Sequence, residues 1–456
     1  MLPTVVSHAA YPVGTTTTAP LATAALAKLP QQPLQPSAPS AASGNNVPTT
    51  SNANAAAAAA VPLPPCDDKE GHYIVTPNES LTQRCKCGHE GCSRVKIMRL
   101  LGQGTFGKVA HCWDRQTRRY CAVKIIRAVQ KYRDASRIEI RVLRELQRWD
   151  PENQYRCIHL RECFDYRNHI CMVFDLLGQS VFDFMKSNHF APFPAEHIQQ
   201  LAQQLITSVA FLHRIGLVHT DLKPENILLV NDAAHTTEIR LIDFGSATFE
   251  KEYHSAVVCT RHYRAPEIIL GCGWSYPCDM WSIGCILVEL FTGEALFQTH
   301  DNLEHLAMME AAIGPMPSSL IQRANHAGRE FFRHGRLAYP ASATTRASRK
   351  YVAAMRRLEN IVVPNCPFNI YLLDLVQRML IYDPAERITA EEALRQPFFQ
   401  LRLPAATNTL AASLSSVDPS ALAGAMRGRT NYGVLPPAAH PPAFVSKASM
   451  HGQAYG

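Results

Sequence analysis

The chain has 456 residues, 46% of them hydrophobic, and a formal net charge of +7. That is enough apolar material for a large buried core, while a charge so modest and scattered does not point to nucleic acid as a partner. Fourteen scattered cysteines, no basic leader followed by an apolar run, no arginine before Arg84 and no bilayer-length apolar stretch predict a reducing compartment, with no secretion and no membrane.

Residues 1–66 are Ala, Pro, Thr, Ser and Asn with hardly a charge, including the run Ala55 to Ala60, and residues 404–456 are similar. Neither end carries a helical or strand period, so both are expected to be disordered. Residues 67–96 read as an N-terminal extension. Alternation around the turn signal Pro77-Asn78 predicts a short hairpin. Cys85, Cys87, His89 and Cys92 follow; they are zinc-type ligands, but the spacing is tighter than in ordinary zinc knuckles, which favours a loop with reduced thiols.

From Ile97 an apolar strand enters a glycine-rich loop, Leu101, Gly102, Gln103, Gly104, Thr105, Phe106, Gly107, Lys108, and leaves through Val109. Glycines let a backbone approach phosphate closely, and Phe106 at the tip can shield it. A dinucleotide fold would need a helix directly after such glycines; β-branched and aromatic residues follow instead and predict a strand hairpin ending at Lys124. Arg133 to Arg148 has helical periodicity, with Ile138, Val142, Leu143 and Leu146 on one face. Glu139 on that helix is the candidate partner of Lys124. The competing reading is an intrahelical ion pair with Lys131, Arg137 or Arg141.

His169 to Gly178 predicts a buried strand running into a linker, with Phe174 at the back of a base pocket and the backbone of Asp175 to Leu177 beside it. Asp183 is then either a carboxylate at the cleft mouth or one that merely starts a helix. Ala195 to Arg214 predicts an amphipathic helix closed by Gly216. In HTDLKPENILL, His219 to Leu229, Asp221 can accept a hydroxyl proton, Lys223 can sit beside transferred phosphate and Asn226 can offer an oxygen to Mg²⁺. Asp243 in LIDFGSATF supplies a second oxygen ligand.

The ordered set of glycine loop, Lys124, Glu139, HTDLKPEN, DFG and Ala265-Pro-Glu267, with Asp279 and Arg387 behind it, resembles the eukaryotic protein kinases over residues 97–399. The resemblance implies an α+β bilobal fold with a β-rich lobe at 97–174 and a helical lobe at 178–399. EHLAMME at Glu304 to Glu310 narrows it to the LAMMER, or CDC-like dual-specificity, branch of the CMGC group, in a fungal-type member. For the helix itself Leu306, Met309 and Ile313 read as core.

What this implies is ATP-dependent phosphorylation of Ser/Thr with Tyr autophosphorylation, using Mg²⁺, in a monomer of nucleus and cytoplasm. Ala122 and Leu228 join the nucleotide pocket, Arg387 pairs with Glu267, and Glu225 and Asp183 would attract arginines of Ser/Arg-rich substrates. Arg264 resembles the residue that favours proline after the phosphosite. Three departures stand out: Ala311 replaces the family arginine, the interval from Asn226 to Asp243 is short, and the cysteine-containing loop is inserted before the first strand. Thr220 also replaces the arginine that in most kinases docks an activation-segment phosphate, so the enzyme is expected to be largely active as made. The alternatives are a proline-directed signalling kinase, which lacks its Thr-x-Tyr here, a pseudokinase scaffold, which would have lost Lys124, Asp221 or Asp243, and an RNA-binding regulator, for which aromatic and basic residues are missing.

Overall fold

In the computed structural model, which describes residues 65–84, 93–230 and 237–403, a strand-rich lobe leads into a larger helical one. The tails expected to be disordered, apart from residues 65 and 66, and the loop from Cys85 to Cys92 lie outside the described residues. The first lobe contains β1 (Ser80–Arg84), β2 (Ser93–Gln103), β3 (Gly107–Asp114), β4 (Arg119–Ile126), helix α1 (Gln130–Trp149), β5 (Glu162–Tyr166) and β6 (His169–Asp175). The strands form one antiparallel sheet in the order β1, β2, β3, β4, β6, β5.

Strand parity decides which residues meet the cleft. In β4, Cys121, Val123 and Ile125 enter a small outer core with Tyr73, Leu81, Ile97 and Val173. Ala122 and Lys124, one step out of phase, therefore face the opposite side. Lys124 lies two residues inside the strand rather than at its end. The turn between β3 and β4 is held by Asp114, whose Oδ1 accepts the N–H of Gln116 at 2.9 Å, a local bond that Asp makes readily.

The extension differs from the sequence reading. Its hairpin is closed around Gly71 (φ +79°) by Ile74 N–H donating to Cys66 O at 2.7 Å and by the Asp67 to Tyr73 bridge. Pro77-Asn78 is a turn, with Asn78 at φ +70°, but the strand after it pairs antiparallel with β2 instead of folding back. The lobe accordingly begins before residue 97.

Helix α1 buries Glu139, Ile140, Val142, Leu143 and Leu146, while Ile138 is 51% exposed. At 100° per residue Ile138 sits on the edge of the apolar stripe, where it lines a hollow beside the activation segment instead of the core.

The helical lobe comprises α2 (Val181–Ser187), α3 (Ala195–Arg214), the short strands β7 (Leu217–Val218), β8 (Ile227–Leu229), β9 (Ile239–Leu241) and β10 (Thr248–Phe249), then α4 (Pro266–Ile269), α5 (Pro277–Thr292), α6 (Asn302–Ala312) and further helices to residue 394. Gly216 at φ +82° ends α3 as expected. Helix α5 is apolar almost all round and forms the centre of this lobe. Helix α6 carries EHLAMME, starts where Asp301 accepts the Glu304 N–H at 2.8 Å, and buries Leu306 and Met309. Ile313, just past its end, is only half-buried.

Candidate active site

Between the lobes lies a cleft of about 720 Å³. Leu101, Gly102, Gly104, Thr105, Phe106, Gly107, Val109, Ala122, Lys124, Phe174, Asp175, Leu177 and Leu228 line it, together with Asn226 and Asp243. The glycines play different parts. A Cβ on Gly107 would come within 2.1 Å of Ile125 O, so Gly107 lets the loop lie against β4. A Cβ on Gly102 or Gly104 would meet nothing within 4 Å; there the missing side chain leaves room above the cleft for a phosphate chain.

Two expected loop contacts fail. Lys108 Nζ turns to the outer side of the sheet and donates to Tyr73 O at 2.9 Å and Asp68 Oδ2 at 3.4 Å. Gln103, paired with Lys108 in the sheet, is exposed. Sequence reasoning also missed Ile158 and Ile242, which add apolar surface to the cleft; Ile242 could have been suspected from its place beside Asp243.

Lys124 Nζ lies 2.7 and 2.9 Å from the two Glu139 oxygens and 3.3 Å from Asp243 Oδ1. The intrahelical alternative is absent: Arg137 bonds Asp134 and Arg141 bonds Glu252. Burial works against the Lys124 charge, but Glu139 and then Asp243 more than offset it and hold its pKa above the ordinary lysine range. Asp243 is correspondingly held low, chiefly by the charge of Lys124.

The loop that begins at His219 is anchored from beneath by one carboxylate. Asp279 Oδ2 accepts the His219 N–H at 2.9 Å and lies 3.0 Å from His213 Nε2, while Oδ1 accepts the Thr220 N–H at 2.9 Å. Burial opposes the charge of Asp279, yet the side-chain bond and charge of His213 and the backbone N–H bond of His219 keep its pKa below the usual carboxylate range. His219 Nε2 lies 3.1 Å from Ile242 O and Nδ1 lies 3.2 Å from the Asp221 N–H. A carbonyl only accepts and an N–H only donates, so Nε2 carries the proton.

On this base Asp221 Oδ2 lies 2.7 Å from Lys223 Nζ, and Oδ1 accepts the Thr260 hydroxyl at 2.7 Å and the Thr260 N–H at 3.1 Å. Lys223 also reaches Thr260 Oγ1 at 3.1 Å. The bond of Thr260 to Asp221 spans 39 residues and has no local signal in the sequence. The Asn226 amide N–H₂ donates to Asp221 O at 2.9 Å, which turns its side-chain oxygen away from Asp221. That oxygen and the Asp243 carboxylate form a hard-oxygen donor pair in one cleft, which fits Mg²⁺.

Asp183 combines both readings: it stands in the first turn of α2, capped by Ser180, and it lines the cleft near Glu225. Enclosure raises the pKa of Glu225, and the charges of Asp221 and Asp183 add to that.

The activation segment is held by contacts made without added phosphate. The Thr220 hydroxyl donates to Ser246 O at 2.8 Å, Ser275 Oγ to Glu250 Oε2 at 2.8 Å and Trp274 Nε1 to Ser255 O at 2.8 Å. Arg141 on α1 grips Glu252 with two bonds of 2.7 and 2.8 Å. Further along, Arg264 donates to Val258 O and Cys259 O at 2.9 and 2.8 Å, satisfying carbonyls where Cys259 takes φ +65°. Glu267 and Arg387 form a bidentate pair at 2.7 and 2.9 Å.

Tyr263 ties the end of the segment to α5 by donating its hydroxyl to Glu289 Oε2 at 2.7 Å. Burial, aided by Glu225, raises Glu289 from 4.5 to about 7. Below pH 4.5 both folded and unfolded chains hold this proton. Between there and about 7 the unfolded chain has lost the proton that the folded chain retains, so stability falls as pH rises through that window. Glu289→Gln keeps an acceptor for Tyr263 but has no titration. From pH 5 to 8 the wild type should lose up to about 3 kcal/mol more stability than this variant, as measured by urea unfolding. Parallel pH profiles would remove the assignment.

The protein kinase domain family model matches residues 95–399. Dual specificity protein kinase lkh1 of Schizosaccharomyces pombe is 55% identical over 349 residues, which cover 73% of this chain and 49% of that protein. The match thus spans about half the length of that relative. Serine/threonine-protein kinase AFC2 of Arabidopsis thaliana is 46% identical, with 74% and 81% of the two chains covered, and human dual specificity protein kinase CLK4 is 45% identical, with 74% and 70% covered. A solved kinase-domain structure superposes with a TM-score of 0.67 at 32% identity, over 73% of this chain and all of the other. With the site's geometry and these likenesses together, the chain belongs to the protein kinase family, in its LAMMER, CDC-like branch.

Proposed function

We propose that this chain transfers the γ-phosphoryl group of ATP to Ser/Thr of protein substrates, and to its own Tyr, at sites flanked by arginine such as those of Ser/Arg-rich splicing factors. The observation that carries the reading is Lys124 bound at once to Glu139 and Asp243, which joins the glycine loop's lobe to the metal-ligand lobe. ATP supplies the transferable group, and Mg²⁺ would be held by Asn226 and Asp243 to offset phosphate charge. Lys124 orients the α- and β-phosphates. Asp221 takes the substrate hydroxyl in the way it already accepts the Thr260 hydroxyl, and Lys223 beside it offsets developing charge. Most of the barrier reduction then comes from positioning and electrostatics.

Asp183 and Glu225 place carboxylates at the cleft mouth, with Asp221 of the neighbouring hollow near enough to act on Glu225, which supports basic flanks around the target hydroxyl. The phosphate-free contacts of the activation segment support activity without an upstream kinase. Action as a monomer in nucleus and cytoplasm goes with this reading; no described helix is long and apolar enough to cross a membrane. A second reading, selection for proline after the phosphosite, is favoured by Arg264 holding Val258 O and Cys259 O.

The test is phosphatase-treated enzyme with serine peptides flanked by arginine or by alanine, each with and without a following proline. Arginine-flanked peptides should be phosphorylated several-fold faster. Silence until another kinase is added would overturn activity as made, and equal rates would overturn the arginine preference.

A further inference from the structure

On the far side of the small lobe from the cleft, the N-terminal hairpin meets the first residue of β6. His169 is fully buried there. Its Nδ1 lies 2.6 Å from Ile126 O and its Nε2 lies 2.7 Å from Asp67 Oδ1. A carbonyl oxygen only accepts, so Nδ1 carries the ring proton. With that one proton, the ring aims the Nε2 lone pair at a carboxylate, which also only accepts. Something positive belongs between them.

The third group decides what. The Cys66 thiol lies 3.0 Å from the same Asp67 oxygen, and the ligand atoms of Cys66, Asp67 and His169 all lie within 4.8 Å of one another. An imidazole whose other nitrogen donates to a backbone carbonyl, beside a thiol and a carboxylate, is the usual arrangement of a metal-bound histidine with its outer support. We propose that Cys66 Sγ, Asp67 Oδ1 and His169 Nε2 bind Zn²⁺, which pins the N-terminal hairpin to the sheet.

Nitrogen, sulfur and carboxylate oxygen are the zinc donor set, with bonds of about 2.0–2.3 Å. Ligands of a tetrahedral ion stand roughly 3.3–3.5 Å apart at those bond lengths, so both contacts to Asp67 must open by about half an ångström or a little more. The geometry allows it: Cys66 and Asp67 are half-exposed at the start of the hairpin, whereas His169 is buried in the sheet. On binding, the Cys66 S–H bond breaks, its proton goes to solvent, the sulfur's electron pair forms the bond to zinc, and a water takes the fourth position. No redox partner is needed.

The site would add a strong tie to weak ones. Apart from the buried Tyr73 ring, the hairpin is held to β3 and to the segment after β4 by Lys108 to Tyr73 O, Ala128 N–H to Gly71 O and Arg127 to Glu70 O. Because Ile126 belongs to the strand that carries Lys124, zinc would stiffen the strand behind the nucleotide pocket without touching it.

The test uses the full chain, stripped with a chelator and titrated with Co²⁺ and then Zn²⁺. The expected result is a thiolate-to-cobalt charge-transfer band that Zn²⁺ abolishes, and a rise in Tm with Zn²⁺. Both should be lost in Cys66→Ser and in Asp67→Asn, substitutions on an accessible hairpin that leave His169 in place. Both should survive in the triple variant Cys85→Ser, Cys87→Ser, Cys92→Ser, which removes the other thiols close in sequence. An unchanged band in Cys66→Ser, its loss in the triple variant, or no band at all would overturn the proposal, the last by leaving a second ring proton on His169 as the bridging charge.

Discussion

Replacing Asp221 by asparagine should lower kcat by about 10²–10⁴-fold and leave ATP affinity unchanged. The asymmetry follows from where the side chain lies. The nucleotide cleft is bounded by Lys124, Asn226 and Asp243, whereas Asp221 looks into the neighbouring hollow with Gly245, Thr260 and Arg264. Asparagine is nearly isosteric and retains an oxygen for the Thr260 N–H and hydroxyl, so the loop should stay in place. It cannot accept a proton, and it no longer holds Lys223 by charge. The measurement is steady-state kinetics at saturating protein substrate, with ATP binding followed separately by calorimetry. Equal losses in turnover and nucleotide affinity would mean that the substitution disturbs the loop rather than the chemistry, and would remove Asp221 from its role.

Arg387→Ala should cost about 3–5 kcal/mol of stability, the range for stripping one partner from a buried ion pair. Glu267 and Arg387 are 1% and 3% exposed. The guanidinium also donates to Ile381 O at 2.9 Å and Pro277 O at 2.8 Å, and it lies 5.1 Å from the Trp281 ring centre. Truncation therefore leaves a buried carboxylate and carbonyls without a donor. Urea unfolding gives the loss directly. The double variant Glu267→Leu, Arg387→Met should recover much of it, because two apolar groups of similar volume leave no bare charge. If the double variant were as unstable as the single one, packing of the arginine stem rather than the unpaired Glu267 would be responsible.

The parts of the candidate active site were readable to different depths, for physical reasons. Asp221, Lys223 and Asn226 lie within six consecutive residues, and a loop that short has few ways to arrange them. Lys124 and Ala122 follow from strand parity. Glu139 needed only a choice between partners, and its distance to Lys124 made that choice. What stayed hidden was long-range. Asp279 is a recognisable marker, but its grip on His219 and Thr220 spans 60 and 59 residues, and a local pattern contains no trace of it. Lys108 sits in the glycine-loop motif yet points away, because its partners belong to a hairpin 35 to 40 residues earlier. Ile138 has the right period and the wrong side: periodicity gives a stripe, and only the neighbouring elements decide how wide a stripe is covered. The same holds for Pro77-Asn78, a true turn whose following strand found its partner in β2.

The bond between Glu267 and Arg387 also carries a message about the order of synthesis. The two residues are 120 positions apart, and at about 5–20 residues per second a ribosome needs roughly 6–24 s to travel from one to the other. During that interval the glycine loop, Lys124, Asp221 and Asp243 have all been made and Tyr263 can already reach Glu289, but the Glu267 carboxylate has no cationic partner. Burial of Glu267 therefore waits for Arg387, and this part of the helical lobe can close only after that late-arriving arginine has been added.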